Sequence, residues 1–523
     1  MKVRSIYVLL LVLATLSFSQ PQRILAQSTP PPPTPQVRMK WQDFIKGSDG
    51  AKRLASLKKA IARMRSLDGA PKTSMDYRRS WEYWANIHGY YGPASMDGAV
   101  EEQIQYLQSN GLGQYVSYYT GIVDQTPPDA DAAKVWATCQ HSYQDQNGNM
   151  VQANFWGWHR MYLYYFERVL RWAAGDDTLR LPYWDYTDPI YTALPAQFRN
   201  VRSVLYDEKR NPIVNTGTPL DPSTTNINPV LNIANYLNAE LTLEMGVHGN
   251  VHCETAVTCP VAHMGDVPVA GNDPIFYAHH ANIDRVWACW QKIYPPVPDA
   301  PWQDQEFSFP DETGNLQTKP VKSFLSTAAV GYVYDHEESC ARPGGLHVSP
   351  AELAVSQEPP VLEQSFPQIV ASKSSIVLSP STTTVDIAVA WPSLLQSNPQ
   401  APTPSTLLVL RNITAQSPPG EILKVYVASK EHPDKKIQVA AISWFNAFGH
   451  HSTGPSVRTL SYDVTDELRQ LGVTSGTSAL TVSFEAATGL VTPRAAAAAQ
   501  ALFRPEARLT IGAVEFRQPS APQ

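Results

Sequence analysis

The chain has 523 residues, 41 Lys+Arg against 47 Asp+Glu for a formal charge of −6, 43% apolar residues and 44 prolines. That length exceeds one small core and points to two or three domains, while the apolar share excludes wholesale disorder. The mildly acidic balance excludes a basic nucleic-acid footprint, and five cysteines exclude a disulfide-dense mini-scaffold.

Lys2 and Arg4 precede an apolar run from Ile6 to Leu16. The run is too short to span a bilayer and suits the core of a signal peptide, with the small residue Ala26 as cleavage site. Residues 1–26 are thus expected to be removed on export, leaving a chain that is secreted or periplasmic and has no membrane segment. Their loss takes Lys2, Arg4 and Arg23 but no acid, and moves the formal charge to −9. Asn412-Ile413-Thr414 is a glycosylation sequon. Residues 27–37 read as a stiff proline-rich linker. From Trp41 to about Trp290 the pattern is mainly helical, clearest in WHRMYLYYFERVLRWAA around His159. Residues 341–370 read as a second linker, rich in Pro, Ser, Glu and Gly. Beyond them, segments such as TVDIAVAW, ILKVYVAS and ALTVSFEA alternate or run β-branched between turn residues. They predict a β-sandwich over 371–518. The run Ala495–Ala499 reads as a surface turn of helix or loop.

Eight of the thirteen histidines lie between His88 and His280. His248 and His252 are four apart, which puts both imidazoles on one helix face. His280 lies on another helix that follows the turn Asn272-Asp273-Pro274. Three imidazoles converging from two antiparallel helices suit copper, which favours nitrogen ligands. Asp284, one turn after His280, is placed to fix that ring from behind. His88, His141 and His159 form a second, looser group. A lone histidine among aromatics is more often a packed core residue than a ligand, so this group carries little by itself.

The segments WHRMYLYYFER and DPIFYAHHANIDRVW resemble the two signatures of type 3 copper proteins, the tyrosinases, catechol oxidases and hemocyanins, and they occur in the family's order. The resemblance covers about residues 38–340. It implies a mainly α catalytic domain holding a dicopper centre, followed by the β-rich C-terminal domain. Position by position, it implies one copper held by His88, His141 and His159 and a second held by His248, His252 and His280. His279 would then be a neighbour that packs or hydrogen-bonds nearby. Cys139, two residues before His141, matches the cysteine that family members often join to the histidine ring as a thioether; otherwise it is a buried thiol or half of a disulfide. One departure is that His141 and His159 stand eighteen apart, about twice the family's usual spacing, with the polar stretch YQDQNGNMV inserted.

The resemblance further implies O2-dependent oxidation of o-diphenols to o-quinones. Monophenol hydroxylation additionally needs a proton acceptor, which the family links to a glutamate before the first histidine of the second copper and an asparagine just after it. Glu244 lies four residues before His248, as a base or on a solvated helix face. Gly249 follows His248, so Asn250 is displaced by one, which lowers the expected monophenolase activity. Cys253 and Cys259 could clip the loop after His252, and Cys289 reads as simply buried, its pairing with Cys340 being one option. Gly331-Tyr332-Val333-Tyr334 resembles the tyrosine motif that closes the catalytic core, with Arg38 its expected partner. In latent family members the C-terminal domain plugs the copper site. SWFNAFG places Phe445 and Phe448 as candidate plugs, or as sandwich core alongside Trp444. Two further readings compete: hemocyanin-like oxygen binding without catalysis, and a zinc hydrolase on His248-x-x-x-His252. The latter lacks the glutamate that follows the first histidine of the zincin helix, because Gly249 stands there.

Overall fold

The structure, a computed structural model, describes residues 35–89, 99–123, 143–144, 150–256, 259, 262–294, 301–336, 368–391, 406–445, 458–473, 476–492 and 495–518. Residues 35–518 fall within one compact unit.

Helices dominate up to Ile293. Helix α1 spans Gly47–Ser66, α2 Trp81–Ile87, α3 Phe155–Ala174, α4 Tyr236–Leu243, α5 Gly249–Thr255 and α6 Ile275–Ile293. The Ser80 hydroxyl caps α2 by accepting from Tyr83 N at 3.1 Å. Helix α3 runs without proline and stops at Gly175, whose φ of 63° lets its own N–H and that of Asp176 close the last carbonyls. Asp273 caps α6, as the Asn-Asp-Pro signal predicts, accepting from Ile275 N at 3.0 Å. Between α4 and α5 the chain makes a wide π-helical turn, Glu244–His248, kinked at Gly246. Such turns recur at functional sites.

The C-terminal part is a sandwich of two four-stranded antiparallel sheets. Residues Gln36–Arg38 form β1 and Tyr332–Tyr334 β2, a parallel pair within the helical part. Then follow β3 Gln368–Val377, β4 Thr383–Trp391, β5 Leu407–Thr414, β6 Ile422–Ser429, β7 His432–Ile442, β8 Arg458–Asp463, β9 Gly476–Ala487 and β10 Thr510–Gln518. The sheet orders are β7-β6-β9-β4 and β8-β5-β10-β3. In β4 burial alternates residue by residue, as TVDIAVAW predicts. Two sequence boundaries shift. Residues 36–37 of the expected linker are strand because they pair with Tyr332 and Val333. Strand β3 begins at Gln368, inside the expected second linker, because it pairs with β10. The alanine run is helix, Ala495–Leu502.

The two parts exchange core residues across their seam. Phe445 and Leu490 join the helical core, while Leu241 and Met245 join the sandwich core. Ser443 N donates to Met245 O at 2.7 Å and Asp221 N to Gly489 O at 2.7 Å. Lys424 Nζ lies 2.5 Å from Asp221 Oδ2. Gly489 must be glycine: its φ is +69°, and a Cβ there would lie 2.2 Å from Glu254 Oε1.

Candidate metal centre

Five of the six predicted ligands are described, and the fold gathers all five. His88 ends α2, His159 lies in the first turn and a half of α3, His248 closes the π-helical turn, and His252 lies one turn on in α5. His280 sits in the second turn of α6. All are buried. Nitrogens of His248, His252, His279 and His280 lie within 4.8 Å of one another, as do those of His88, His159 and His280. His280 therefore stands in both groups. His141 and Cys139 lie outside the described residues. The inserted stretch before His159 contributes an antiparallel pair, Tyr143–Gln144 against Met150–Gln152.

The ring orientations follow from backbone carbonyls. Nδ1 of His88 points to Val267 O at 3.2 Å, that of His159 to Phe155 O at 2.6 Å, that of His248 to Glu244 O at 3.2 Å, and that of His252 to Met264 O at 2.6 Å. A carbonyl only accepts, so each Nδ1 carries the proton and each Nε2 presents a lone pair. Those lone pairs face one another: His88 and His159 Nε2 are 3.4 Å apart, and His252 and His280 Nε2 are 3.3 Å apart. Burial, then the neighbouring imidazoles, push the His252 and His280 pKa values well down. Burial pushes His279 down to about 3. The rings are thus neutral near pH 7, the form that ligates metal. Facing lone pairs in a buried, all-imidazole pocket fit soft-to-borderline cations such as copper.

His279 hydrogen-bonds beside the group: its Nδ1 lies 2.8 Å from the Tyr186 hydroxyl. Asp284 is held by other partners. Its Oδ1 accepts from Arg160 Nε at 2.5 Å, and its Oδ2 from Tyr332 and Tyr334 at 2.6 and 2.7 Å, with Arg38 Nη1 at 3.4 Å. His280 Nδ1 has no hydrogen-bond partner among the described residues. Spacing on one helix puts Asp284 near His280, but arginines and tyrosines from other elements claim the carboxylate first. Arg38 also meets Glu167 at 2.9 Å and stacks 3.7 Å over Tyr332, so the expected Arg38–tyrosine pairing is present. Burial alone would raise the Asp284 and Glu167 pKa values; the adjacent arginines outweigh it and hold both below the ordinary range. This buried network ties α3, α6, β1 and β2 into one frame behind the histidines. Glu167 and Tyr186 were missed in the sequence. A glutamate directly after the aromatic and aliphatic stretch Met161–Phe166 was the available signal for Glu167.

Glu244 is buried, not on a solvated helix face, and its charge acts on Arg458 of β8. Asn250 is drawn to the seam, donating to Thr224 O at 2.9 Å and Ala441 O at 3.3 Å. Of the two candidate plugs, Phe445 is the one described, and it reaches the histidines. Its ring stacks on His252 at 3.9 Å and 8°, and meets His248 edge-on at 5.4 Å. Trp444 turns the other way into the sandwich core, and Phe448 lies outside the described residues. Cys253 and Cys259 form the expected disulfide. Cys289 is also disulfide-bonded, which corrects its reading as a simply buried thiol; its partner cysteine lies outside the described residues.

A helical frame holding two overlapping groups of buried imidazoles, under a β-sandwich that seats a phenyl ring on one of them, resembles the build of a type 3 copper protein. Residues 78–242 and 210–293 match the family model described as the common central domain of tyrosinase. The chain is 33% identical over 218 residues to a chloroplastic polyphenol oxidase of Malus domestica, and 29% over 225 residues to aureusidin synthase of Antirrhinum majus. These stretches cover 34% and 35% of this chain and 37% and 40% of the relatives, well under two thirds of their length. The structure of a latent apple tyrosinase superposes with a TM-score of 0.58 at 20% identity, covering 94% of this chain and 98% of that one. A latent aurone synthase gives 0.58 at 18%, over 94% and 91%. The fold is shared across both parts, and residues 78–293 match the central domain of the tyrosinase family. No helix among the described residues is long and apolar enough to cross a membrane.

Proposed function

We propose that this protein oxidises phenols with O2, taking o-diphenols to o-quinones, and that it is made in a latent form. The observation that carries the reading is the convergence of Nε2 lone pairs from His88, His159, His252 and His280 in a buried pocket. His88, His141 and His159 would hold one copper and His248, His252 and His280 the other, with Cys139 tethering His141 as a thioether. When bound, two coppers supply the redox chemistry that couples phenol oxidation to reduction of dioxygen.

The chain's own residues supply position and exclusion. The carbonyl partners of His88, His159, His248 and His252 fix each ring so that Nε2 faces the centre before any metal arrives. The Arg38–Glu167–Arg160–Asp284 network holds α3 and α6 at fixed separation. Phe445 occupies the face of His252 on which a flat phenol would stack, so the cap must shift or be removed before substrate enters. In this reading Glu244 takes the phenolic proton on its carboxylate, which its burial four residues before His248 supports. The Arg458 charge engages it while the cap is seated, and freeing it is part of activation. Asn250 has no role in that step. Export in an oxidising compartment fits the disulfides.

The test is catechol turnover by the copper-loaded full chain before and after cleavage within 341–370. The account expects quinone formation that rises on cleavage. Oxygen binding without quinone, before and after cleavage, would support the carrier reading instead.

A further inference from the structure

A cavity of about 260 Å³ opens at the seam between the helical part and the sandwich. One wall comes from the segment around α5, including Glu254, Ile213 and the Cys253–Cys259 disulfide; the other comes from the sandwich, including Glu421, Trp444, Leu490 and Ala498. Among the described residues, two carboxyl groups line it and no lysine or arginine does. Glu254 is 1% exposed, and its Oε2 has no hydrogen-bond partner among the described residues. Glu421 makes no hydrogen bond or ion pair among the described residues, and burial alone pushes its pKa up to about 8. The nearby ammonium of Lys424 is engaged by Asp221 at 2.5 Å. Glu254 accepts from the Thr224 hydroxyl through Oε1, and burial raises its pKa well above the ordinary range. Buried carboxyls are normally matched by a cation, and among the described residues neither of these two meets a basic side chain, so the cavity leaves room for one. The remaining lining is apolar and aromatic, and the volume is slightly below that of drug-sized pockets, which favours a small ligand.

We propose that this cavity binds a small organic ammonium ion with an apolar body. Its N–H groups donate to Glu254 Oε2 and Glu421, and its body lies against Trp444, Ile213 and Leu490. An aromatic body gains most, because the indole of Trp444 lines the cavity. The ligand touches both walls, and Trp444 immediately precedes Phe445 on His252, so occupancy holds the cap in place. That last consequence rests on the latent reading given above; the site itself does not.

The test uses the full chain without copper and two probes, 2-phenylethylammonium and its neutral counterpart 2-phenylethanol. Affinity is read by calorimetry and by the shift in melting temperature, since a ligand that binds only the folded chain raises it. The ammonium probe should bind saturably and roughly tenfold or more tighter than the alcohol. Glu421→Gln should erase that preference, and Ala498→Trp, which fills the cavity from the exposed helix, should abolish binding of both probes. Melting curves without ligand establish that the variants fold. Equal binding of the two probes, the same preference in E421Q, or binding untouched in A498W would overturn the site. With copper restored, the ammonium probe should lower latent catechol oxidation; normal binding with unchanged oxidation refutes the coupling to the cap and leaves the site standing.

Discussion

Phe445→Ala isolates the plug from the rest of the cap. The phenyl ring is 2% exposed and lies 3.9 Å from the His252 ring, so it fills the space a stacked phenol needs. Displacing a fully buried phenyl group costs about 2–3 kcal/mol in transfer free energy, the larger part of what holds substrate out at this point. Truncation to alanine removes that cost while leaving the backbone bonds of the seam, such as Ser443 N to Met245 O, in place. Initial catechol oxidation by the uncleaved, copper-loaded F445A chain should therefore rise roughly 30- to 150-fold over wild type. Cleaved F445A and cleaved wild type should run at similar rates, because the ring is gone from both sites. The assay is quinone formation normalised to copper content. A normally folded, fully loaded F445A that is no faster than wild type would show that Phe445 is merely core and that latency lies elsewhere.

Four further outcomes follow from the same geometry. Lys424→Ala removes a half-buried seam ion pair with Asp221, worth about 1 kcal/mol, and should raise latent activity roughly fivefold with little change after cleavage. Asp284→Asn leaves Arg160 and Arg38 short of a buried counter-charge and should lower unfolding stability in urea by about 3–5 kcal/mol. Because the folded pKa of Asp284 is depressed, its contribution is complete above the ordinary carboxylate value of 3.8 and fades as pH falls toward the lower folded value. The gap between wild type and D284N should accordingly narrow in acid, and a gap independent of pH would contradict the ionic account. His280→Ala, which takes a nitrogen from both groups, should lose more copper than His88→Ala when metal content is compared after identical loading.

The sequence made the metal-facing residues legible because chemistry ties them to short, fixed spacings. His248 and His252 share a helix face by period alone, and the two long signatures carry His159 and His280. The sandwich was legible for a similar reason, since alternation in TVDIAVAW leaves little choice of exposed face. What stayed hidden depends on distant partners. Asp284 sits at the right offset to serve His280, yet Arg160, Tyr332 and Tyr334 converge on it from elements up to 124 residues away. Glu244 and Asn250 read as a pair beside His248, but the seam draws Asn250 to Ala441 and sets Arg458 beside Glu244. Phe445 and Phe448 look equivalent in SWFNAFG. Only the seam, where Trp444 enters one core and Phe445 the other, tells which ring reaches a histidine.

The most direct test of the central claim is a metal count on the purified full-length chain by mass spectrometry after copper loading and removal of excess. Two coppers per chain, falling to one or fewer in His280→Ala, is the predicted result. One zinc per chain, or copper retained in full by that variant, would contradict a centre built on these histidines.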